Sequence, residues 1–360
     1  MEQPSASPLE TASIRPKGVG YAILAAALFG LSTPFAKLLL GQAPPVLLAG
    51  LLYLGSGLGL SLLYLLRRQK GEPPLPRQDL PWLAGAVFFG GICGPVLLML
   101  GLKQTPASTA SLLLNMEGVF TALLAWFIFK ENFDRRIAVG MLLIVIGGAV
   151  LSWQGAKGFS LPVGGLAIAA ACLCWGIDNN LTQKVSASNP FQTAAIKGAV
   201  AGSVNLAIAL GLGAKLPSLP ILSGALLVGF LGYGLSLALF VLALRHIGTA
   251  RTGAYFALAP FFGAIVALLL LREPIGATFL VAAAFMGAGV WLHLTEKHEH
   301  EHTHERLEHC HRHAHDPHHR HSHEPGIDPA GPHTHSHVHE PLTHTHPHYP
   351  DIHHRHKHNA

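Results

Sequence analysis

Charge is scarce in this chain. Asp, Glu, Lys and Arg together make up 12% of 360 residues while half are hydrophobic; a soluble domain carries about 25% charge. That balance excludes an ordinary water-soluble globule and points to the membrane. Cysteine is nearly absent. Of four, Cys93, Cys172 and Cys174 fall in apolar segments and Cys310 lies near the C-terminus. With no CxxC and no secreted disulfide spacing, nothing indicates an oxidised domain. HExxH, GxSxG and a phosphate loop are also missing, so no enzymatic chemistry is expected. The excess of 24 Lys/Arg over 19 Asp/Glu is spread through loops and tail. It forms no basic stripe with interleaved aromatics, so no nucleic-acid partner is expected. The polar start, Met1 to Lys17, lacks the apolar stretch and cleavage site of a signal peptide.

Histidine is what the chain does have, and in one place. Residues 298–360 hold 23 of its 25 histidines. They alternate with other residues: His298, His300, His302 and His304; then His309, His311, His313 and His315; then His333, His335, His337 and His339. Imidazole is the commonest biological metal ligand and titrates nearest neutral pH. Such a tail binds borderline transition metals or senses protons.

Ahead of the tail, apolar runs of about 20 residues are long enough to cross a bilayer as helices. They fall at roughly Gly18–Leu40, Pro45–Leu66, Leu80–Gly101, Ala107–Phe129, Ile137–Trp153, Pro162–Leu181, Phe191–Gly213, Ile221–Leu244, Thr252–Leu271 and Ala277–Leu294. Helices are required because lipid offers no partner to backbone polar groups. Arg15, Lys17, Arg67, Arg68, Lys70, Arg77, Lys130, Arg135, Arg136, Lys184, Arg245 and Arg251 fall on one side, against Lys37, Lys103, Lys157, Lys215 and Arg272 on the other. Twelve against five predicts that both termini are cytoplasmic.

The apolar body is duplicated. A shift of 142 residues lays Gly101-Leu102-Lys103 on Ala243-Leu244-Arg245 and Lys130-Glu131 on Arg272-Glu273; a shift of 146 lays Phe29-Gly30 on Trp175-Gly176. Five spans are followed by five related ones, and since five is odd the second set enters the membrane inverted. The expected fold is an all-α polytopic membrane protein of ten transmembrane helices in two inverted five-helix repeats, plus a disordered His-rich tail. The boundaries are a cytosolic segment 1–16, repeats 17–154 and 160–295, and the tail 296–360. Inverted repeats recur in secondary transporters, with substrate bound near the midplane where the halves meet.

The duplication, the aromatic-Gly step opening each half and the basic-plus-Glu pair closing each fourth helix resemble the EamA family of the drug/metabolite transporter superfamily. So do Ala107-Ser108-Thr109-Ala110-Ser111-Leu112-Leu113 and Leu123-Leu124-Ala125-Trp126. The resemblance covers about residues 17–295 and stops before the tail. It implies an inner-membrane carrier that moves small metabolites, often outward, without ATP. Members often carry proline in the middle of the fourth and ninth helices. Here the ninth keeps Pro260 and the fourth has Glu117-Gly118, which favours a charged element on the pathway.

An ionisable residue at bilayer depth costs about 2.5–3.5 kcal/mol on insertion scales, so it faces a cavity or a partner. Glu117, with Asn115 nearby, sits mid-span; it either binds a substrate amine or proton, or is a hydrogen-bonded structural group. Asp178, Asn179 and Asn180 form a second cluster, matched in the first half by Ser32, Thr33 and Pro34. Lys197 lies at a depth similar to Asp178, so an ion pair and a substrate contact are both open for it. Pro34 and Pro260 free carbonyls, as in broken helices lining a cavity. Trp175, Tyr233 and Tyr255 supply cavity walls or packing. The expected pathway is Ser32, Thr33, Asn115, Glu117, Asp178, Asn179, Lys197 and Tyr255. Lys37 is expected to snorkel to the interface. Gly55 with Gly59, and Gly90 with Gly94, have the spacing for close helix approach.

The expectation is a multi-pass protein of the bacterial inner membrane, a secondary transporter exporting or exchanging a small organic metabolite by alternating access. The alternative is a divalent transition-metal (Ni/Co/Zn) exporter with a metal-loading tail. No cofactor is required, the tail is a candidate for Zn, Ni, Co or Cu, and a homodimer is left open. Partners are the substrate, the lipid bilayer and divalent ions at the tail.

Overall fold

The computed structural model describes residues 16–67, 76–129, 135–152, 163–185, 189–294, 299–304, 307–313, 333–339 and 342–347. In the first half, α1 (Pro16–Leu39) and α2 (Pro45–Arg67) are single helices, and the third span is composite. Here α3 (Leu80–Ala86) passes through a π-helical stretch, Val87–Cys93, into α4 (Gly94–Gln104). The fourth span is broken into α5 (Ala107–Leu113) and α6 (Met116–Phe129), and α7 (Arg135–Leu151) follows. The second half repeats the plan: α8 (Val163–Lys184), α9 (Pro190–Gly211), α10 (Leu219–Gly229), a π-helical stretch Phe230–Leu235, α11 (Ser236–Phe256), α12 (Ala259–Leu271) and α13 (Ala277–Leu294).

Among the described residues, six runs are long and apolar enough to cross a membrane: Lys17–Leu39, Pro45–Leu66, Arg77–Gln104, Ala107–Ile128, Phe191–Gly211 and Leu219–Leu244. The remaining spans are α7, α8, α12 and α13, of which α12 and α13 are shorter apolar helices. Polar Asp178, Asn179 and Asn180 dilute the apolar character of α8. The outside of the bundle is apolar, as lipid requires: Leu65, Leu66, Phe127 and Leu269 all project from it.

The duplication seen in the sequence is reproduced in three dimensions. The shift of 142 carries the π-helical residues Phe88–Cys93 onto Phe230–Leu235, and both composite spans bulge at that point. The fourth span breaks at Leu114–Asn115 and the ninth at Ala257–Leu258, within one residue of the same correspondence. Gly90 packs against Asp178, and its repeat mate Gly232 packs against Ser32, the mate of Asp178. The second helix of each half meets the other backbone to backbone, with Gly57 on Gly198 and Ala199 and Gly202 on Leu54. Around that seam lie the buried side chains of Leu47, Leu48, Leu51, Leu52, Leu98, Leu102 and Ile168. Gly55 approaches the backbone of Leu226, the close helix approach expected from its spacing, whereas Gly59 makes room for the ring of Phe230 and Gly94 for the indole of Trp175.

Two local features differ from expectation. Pro34 does not break α1, which continues through it to Leu39. Proline removes the N–H that would satisfy the carbonyl four residues back, and that carbonyl, of Gly30, lies against Gly263 of α12. A side chain at either glycine would forbid this approach. The turn expected between Leu244 and Thr252 is instead helical, inside α11. The first-half counterpart explains the contrast. There Pro106 ends α4 by forcing Thr105 into an extended conformation (φ −119°, ψ 142°), whereas the matching residues Ile247 and Gly248 keep their N–H groups.

Composition predicts a disordered tail. Four of its segments nevertheless run in two antiparallel ladders, β1 (Glu299–His304) with β4 (Leu342–Pro347) and β2 (Leu307–His313) with β3 (His333–His339). Pairing satisfies backbone groups that no apolar core is present to shelter, and Thr and Val alternate with His in β3 as a strand favours. The backbone register sets His300 opposite His346, His302 opposite His344, His309 opposite His337, His311 opposite His335, and His313 opposite His333. His298 and His315 lie outside the described residues.

Candidate functional site

The break in the fourth span creates the setting for Glu117. Asn115 stops the helix by turning its side-chain Nδ2 back to donate to the Leu112 carbonyl at 2.9 Å; amide side chains compete for backbone in this way. Glu117 therefore lies in the first turn of α6, where the partial positive charge of a helix N-terminus favours a carboxylate. Its Oε1 accepts a hydrogen bond from Asn179 Nδ2 of α8 at 2.9 Å. The same Nδ2 donates to Thr121 Oγ1 at 3.1 Å, and Thr121 Oγ1 donates to the Glu117 carbonyl at 2.8 Å. A carboxylate of the first repeat is thus joined to an amide of the second.

One residue earlier on α8 the direction changes by about 100°. Asp178 faces α9, where its Oδ2 pairs with the Lys197 ammonium, and its Oδ1 accepts from Thr182 Oγ1 at 3.0 Å. Asp178 and Lys197 are 7% and 19% exposed at their side chains, so the pair is largely shielded. Removing one partner of a buried pair leaves an unpaired charge and costs about 3–5 kcal/mol, whereas an apolar or neutral replacement of both is often tolerated. Asp178→Asn alone and Lys197→Met alone should each lower the detergent melting temperature. The double variant should recover most of the loss, as measured by a thermal aggregation scan.

Asp178 is seated against Gly90 of the π-helical stretch. That stretch alters the usual helical register, and the Gly90 carbonyl accepts two side-chain bonds: from Tyr53 Oη at 2.7 Å and from Trp175 Nε1 at 2.9 Å. The Tyr53 ring lies 5.5 Å from that of Tyr233, which in turn lies 5.8 Å from Phe29. An aromatic wall therefore runs from α2 to α1 beside the polar cluster. Asn205 of α9 donates to the Gly91 carbonyl at 3.2 Å.

Of the pathway residues expected from sequence, Glu117 and Asn179 meet directly, Asp178 and Lys197 pair, and Asn115 shapes the break. Ser32 donates to the Phe29 carbonyl at 2.6 Å and packs on Gly232, while Thr33 is buried. Tyr255 is carried elsewhere: it packs against Ala22, Ala243 and Ile247 near the start of α1. Asn180 turns to Thr121 and Gly176, donating to their carbonyls at 3.2 and 2.8 Å. Cys172 is buried and Cys174 half-buried, on different faces of α8 as their spacing requires. Among the described residues no group of three or more His, Cys, Asp or Glu side chains gathers as a metal site.

Tyr53, Thr121 and Asn205 were not marked by sequence. The hydroxyl of Tyr53 at mid-span was the available signal, since a buried Tyr needs a partner. Gly90 reads from spacing as a packing residue, and it is also the residue on which Asp178, Tyr53 and Trp175 converge. Nothing in hydropathy marks a π-helical turn.

Two duplicated halves crossing the membrane, with a polar cluster joining them, define a polytopic membrane transporter. The chain belongs to the EamA-like transporter family, whose model matches it twice, at residues 16–153 and 162–295. It is 30% identical over 288 residues to an uncharacterized transporter of Methanothermobacter thermautotrophicus, covering 75% of this chain and 84% of that one. It is 27% identical over 303 residues to a probable amino-acid metabolite efflux pump of Salmonella typhimurium, covering 76% and 93%. A crystal structure with 18% identity superposes at a TM-score of 0.55 over 76% of this chain and 94% of that chain, a likeness of fold. The chain is a multi-pass membrane transporter of small metabolites.

Proposed function

We propose that the protein is a secondary transporter that moves a small organic metabolite out of the cytoplasm, or exchanges it, by alternating access across the bacterial inner membrane. The observation that carries this reading is the Glu117–Asn179 contact across the repeat junction, with the Asp178–Lys197 pair beside it. Inverted repeats rock about such a junction, so a group held there is exchanged between the two sides. Glu117 binds the amine of the substrate or a coupling proton, and the aromatic wall of Tyr53 and Tyr233 covers its apolar part. The efflux role named for the Salmonella relative supports outward movement of amino-acid-like metabolites. The loop charges support cytoplasmic termini, which leaves the tail in the cytosol.

The tail histidines bind borderline divalent metals beside this carrier rather than on its path. The backbone register that sets histidines of β2 opposite those of β3 supports shared ions between the two halves of the tail. The rival reading is a metal exporter. It sits poorly with a Glu117 carboxylate whose side-chain partner is the amide of Asn179, with no cluster of imidazoles or thiolates of the kind zinc and nickel favour gathered beside it among the described residues.

One comparison separates the two. Full-length protein and a form truncated after Lys297 are reconstituted in proteoliposomes and screened for flux of labelled amino acids, nucleosides and Zn²⁺ or Ni²⁺. The expected result is organic-solute flux equal in both forms, with Zn²⁺ binding by titration calorimetry lost on truncation. That binding should weaken as pH falls through about 6.5, because protons compete for imidazole. Metal flux that disappears on truncation would establish the rival.

A further inference from the structure

One turn of this molecule is held at both ends by side chains from other spans. The residues Thr105 and Pro106 separate α4 from α5, and Thr105, Ala107 and Ser108 around them are buried. A helix end exposes carbonyls at its C-terminus and N–H groups at its N-terminus that need partners. The turn supplies none from its own side chains: Pro106, at the cap position of α5, makes no capping bond.

Both sets of partners come from a distance, and each has the sign that the helix end requires. At the end of α4, the Lys37 ammonium of α1 donates to the carbonyls of Leu102 at 2.5 Å, Thr105 at 2.8 Å and Lys103 at 3.3 Å. Lys37 is therefore bound to the carbonyl end of α4. At the start of α5, the Glu273 carboxylate accepts from Ala107 N at 2.6 Å through Oε1, and from Ser108 N at 2.9 Å and Ser108 Oγ at 2.5 Å through Oε2. Glu273 follows α12, in the other repeat. The residue between them, Arg272, has φ 51° and ψ 41°. Among the described residues it is the non-glycine with a positive φ, a strained conformation that persists where surroundings hold it.

We propose that Lys37 and Glu273 form a latch that closes the candidate site on the side of the Thr105–Pro106 turn and must release for the site to open there. The inference rests on the transport reading above. Its mechanical basis is α5 itself. This seven-residue helix runs from the latch to the break at Leu114–Asn115, and Glu117 lies immediately beyond. A pull at Ala107 and Ser108 is transmitted along α5 to the hinge before Glu117. Because Glu273 belongs to the second repeat and the turn to the first, the contact spans the two bodies that must separate. It consists of charge-assisted hydrogen bonds from two backbone N–H groups and the Ser108 hydroxyl, strong when dry and readily exchanged for water once parted. With cytoplasmic termini the latched side is the outer one.

The test reads sidedness and needs no substrate, so its failure is distinct from a failure to find transport. A single reporter, Asn115→Cys in a background without the native cysteines, is labelled with a membrane-impermeant maleimide from either side of oriented membrane vesicles. Glu273→Gln should raise the labelling rate from the side of the turn by about tenfold and lower it from the other, as a shifted equilibrium requires. Glu273→Asp, which keeps the charge, should stay nearer the parent. Lys37→Met should shift labelling in the same direction as Glu273→Gln and provides the test where the latter does not insert; Lys37→Arg should restore the parental rates. Labelling unchanged in both neutral variants overturns the latch. So does a rise of equal size from both sides, which reports general loosening instead of a change in which side is open.

Discussion

Proteoliposomes bearing Glu117→Gln are expected to lose pH-dependent flux altogether, with the protein still inserted and folded. Glutamine preserves the side-chain oxygen that accepts from Asn179 and fits the same space. The substitution therefore removes charge and proton exchange while leaving the hydrogen bond in place. If Glu117 neutralises a substrate amine, the loss of that charge-assisted bond, worth about 1.5–3 kcal/mol, weakens substrate binding about tenfold or more. If it carries a coupling proton, exchange of unlabelled for labelled substrate survives while concentrative uptake against a gradient stops. The two assays together separate these roles. Asn179→Ala should reduce flux less, because it leaves the carboxylate itself and its place in the first turn of α6. Flux that keeps its pH dependence in Glu117→Gln would remove this residue from the mechanism and leave it as a structural partner of Asn179.

The second large effect is expected at a residue with no side chain. A Cβ on Gly90 would overlap the Asp178 carboxylate, which cannot swing aside without losing Lys197 and Thr182. Overpacking costs about 1–3 kcal/mol, and parting the buried pair adds more. The Gly90 carbonyl also anchors Tyr53 and Trp175, so a shift of this turn disturbs the aromatic wall as well. Gly90→Ala should therefore give a sharp fall in detergent melting temperature and loss of transport. Gly20→Ala is the control, since nothing lies within 4 Å of a Cβ at that position, and it should melt as the parent does. Equal behaviour of the two variants would show that Asp178 has room to move. Gly232→Ala, meeting Ser32 in the other half, should destabilise without breaking an ion pair, and so by less.

These expectations depend on residues that were visible in the sequence to very different degrees. Glu117 stands out because a carboxylate within an apolar run is costly and has to be explained. Asp178 and Lys197 stand out for the same reason, and their similar depth made a pair a natural outcome. Asn179 is different. Its neighbours Asp178 and Asn180 look equally polar on paper, and only the 100° turn per residue of a packed α8 sends Asp178 to α9 and Asn179 to Glu117. Tyr255 is expected on the pathway from its place in an apolar span, yet it is packed against the start of α1. Spacing along one helix says which face a residue occupies and leaves open which neighbour that face meets. The basic-plus-Glu pair ending each fourth helix was legible as a repeat signature. That Glu273 reaches back to the first turn of α5 depends on the left-handed Arg272, a backbone state no side-chain pattern announces.

The sequence by itself determined the spans, the duplication and the separation of an apolar body from a histidine tail. Each follows from properties local to the chain: hydropathy over about 20 residues, self-similarity at a fixed shift and a change of composition at the tail. Only the tertiary structure decided which polar groups meet. Inversion of the second repeat brings α8 alongside α6 and the end of α12 alongside the start of α5, joining residues far apart in the chain. Those junctions arise from close packing of helices from both halves, and it is there that a charge finds the partner that makes its burial tolerable.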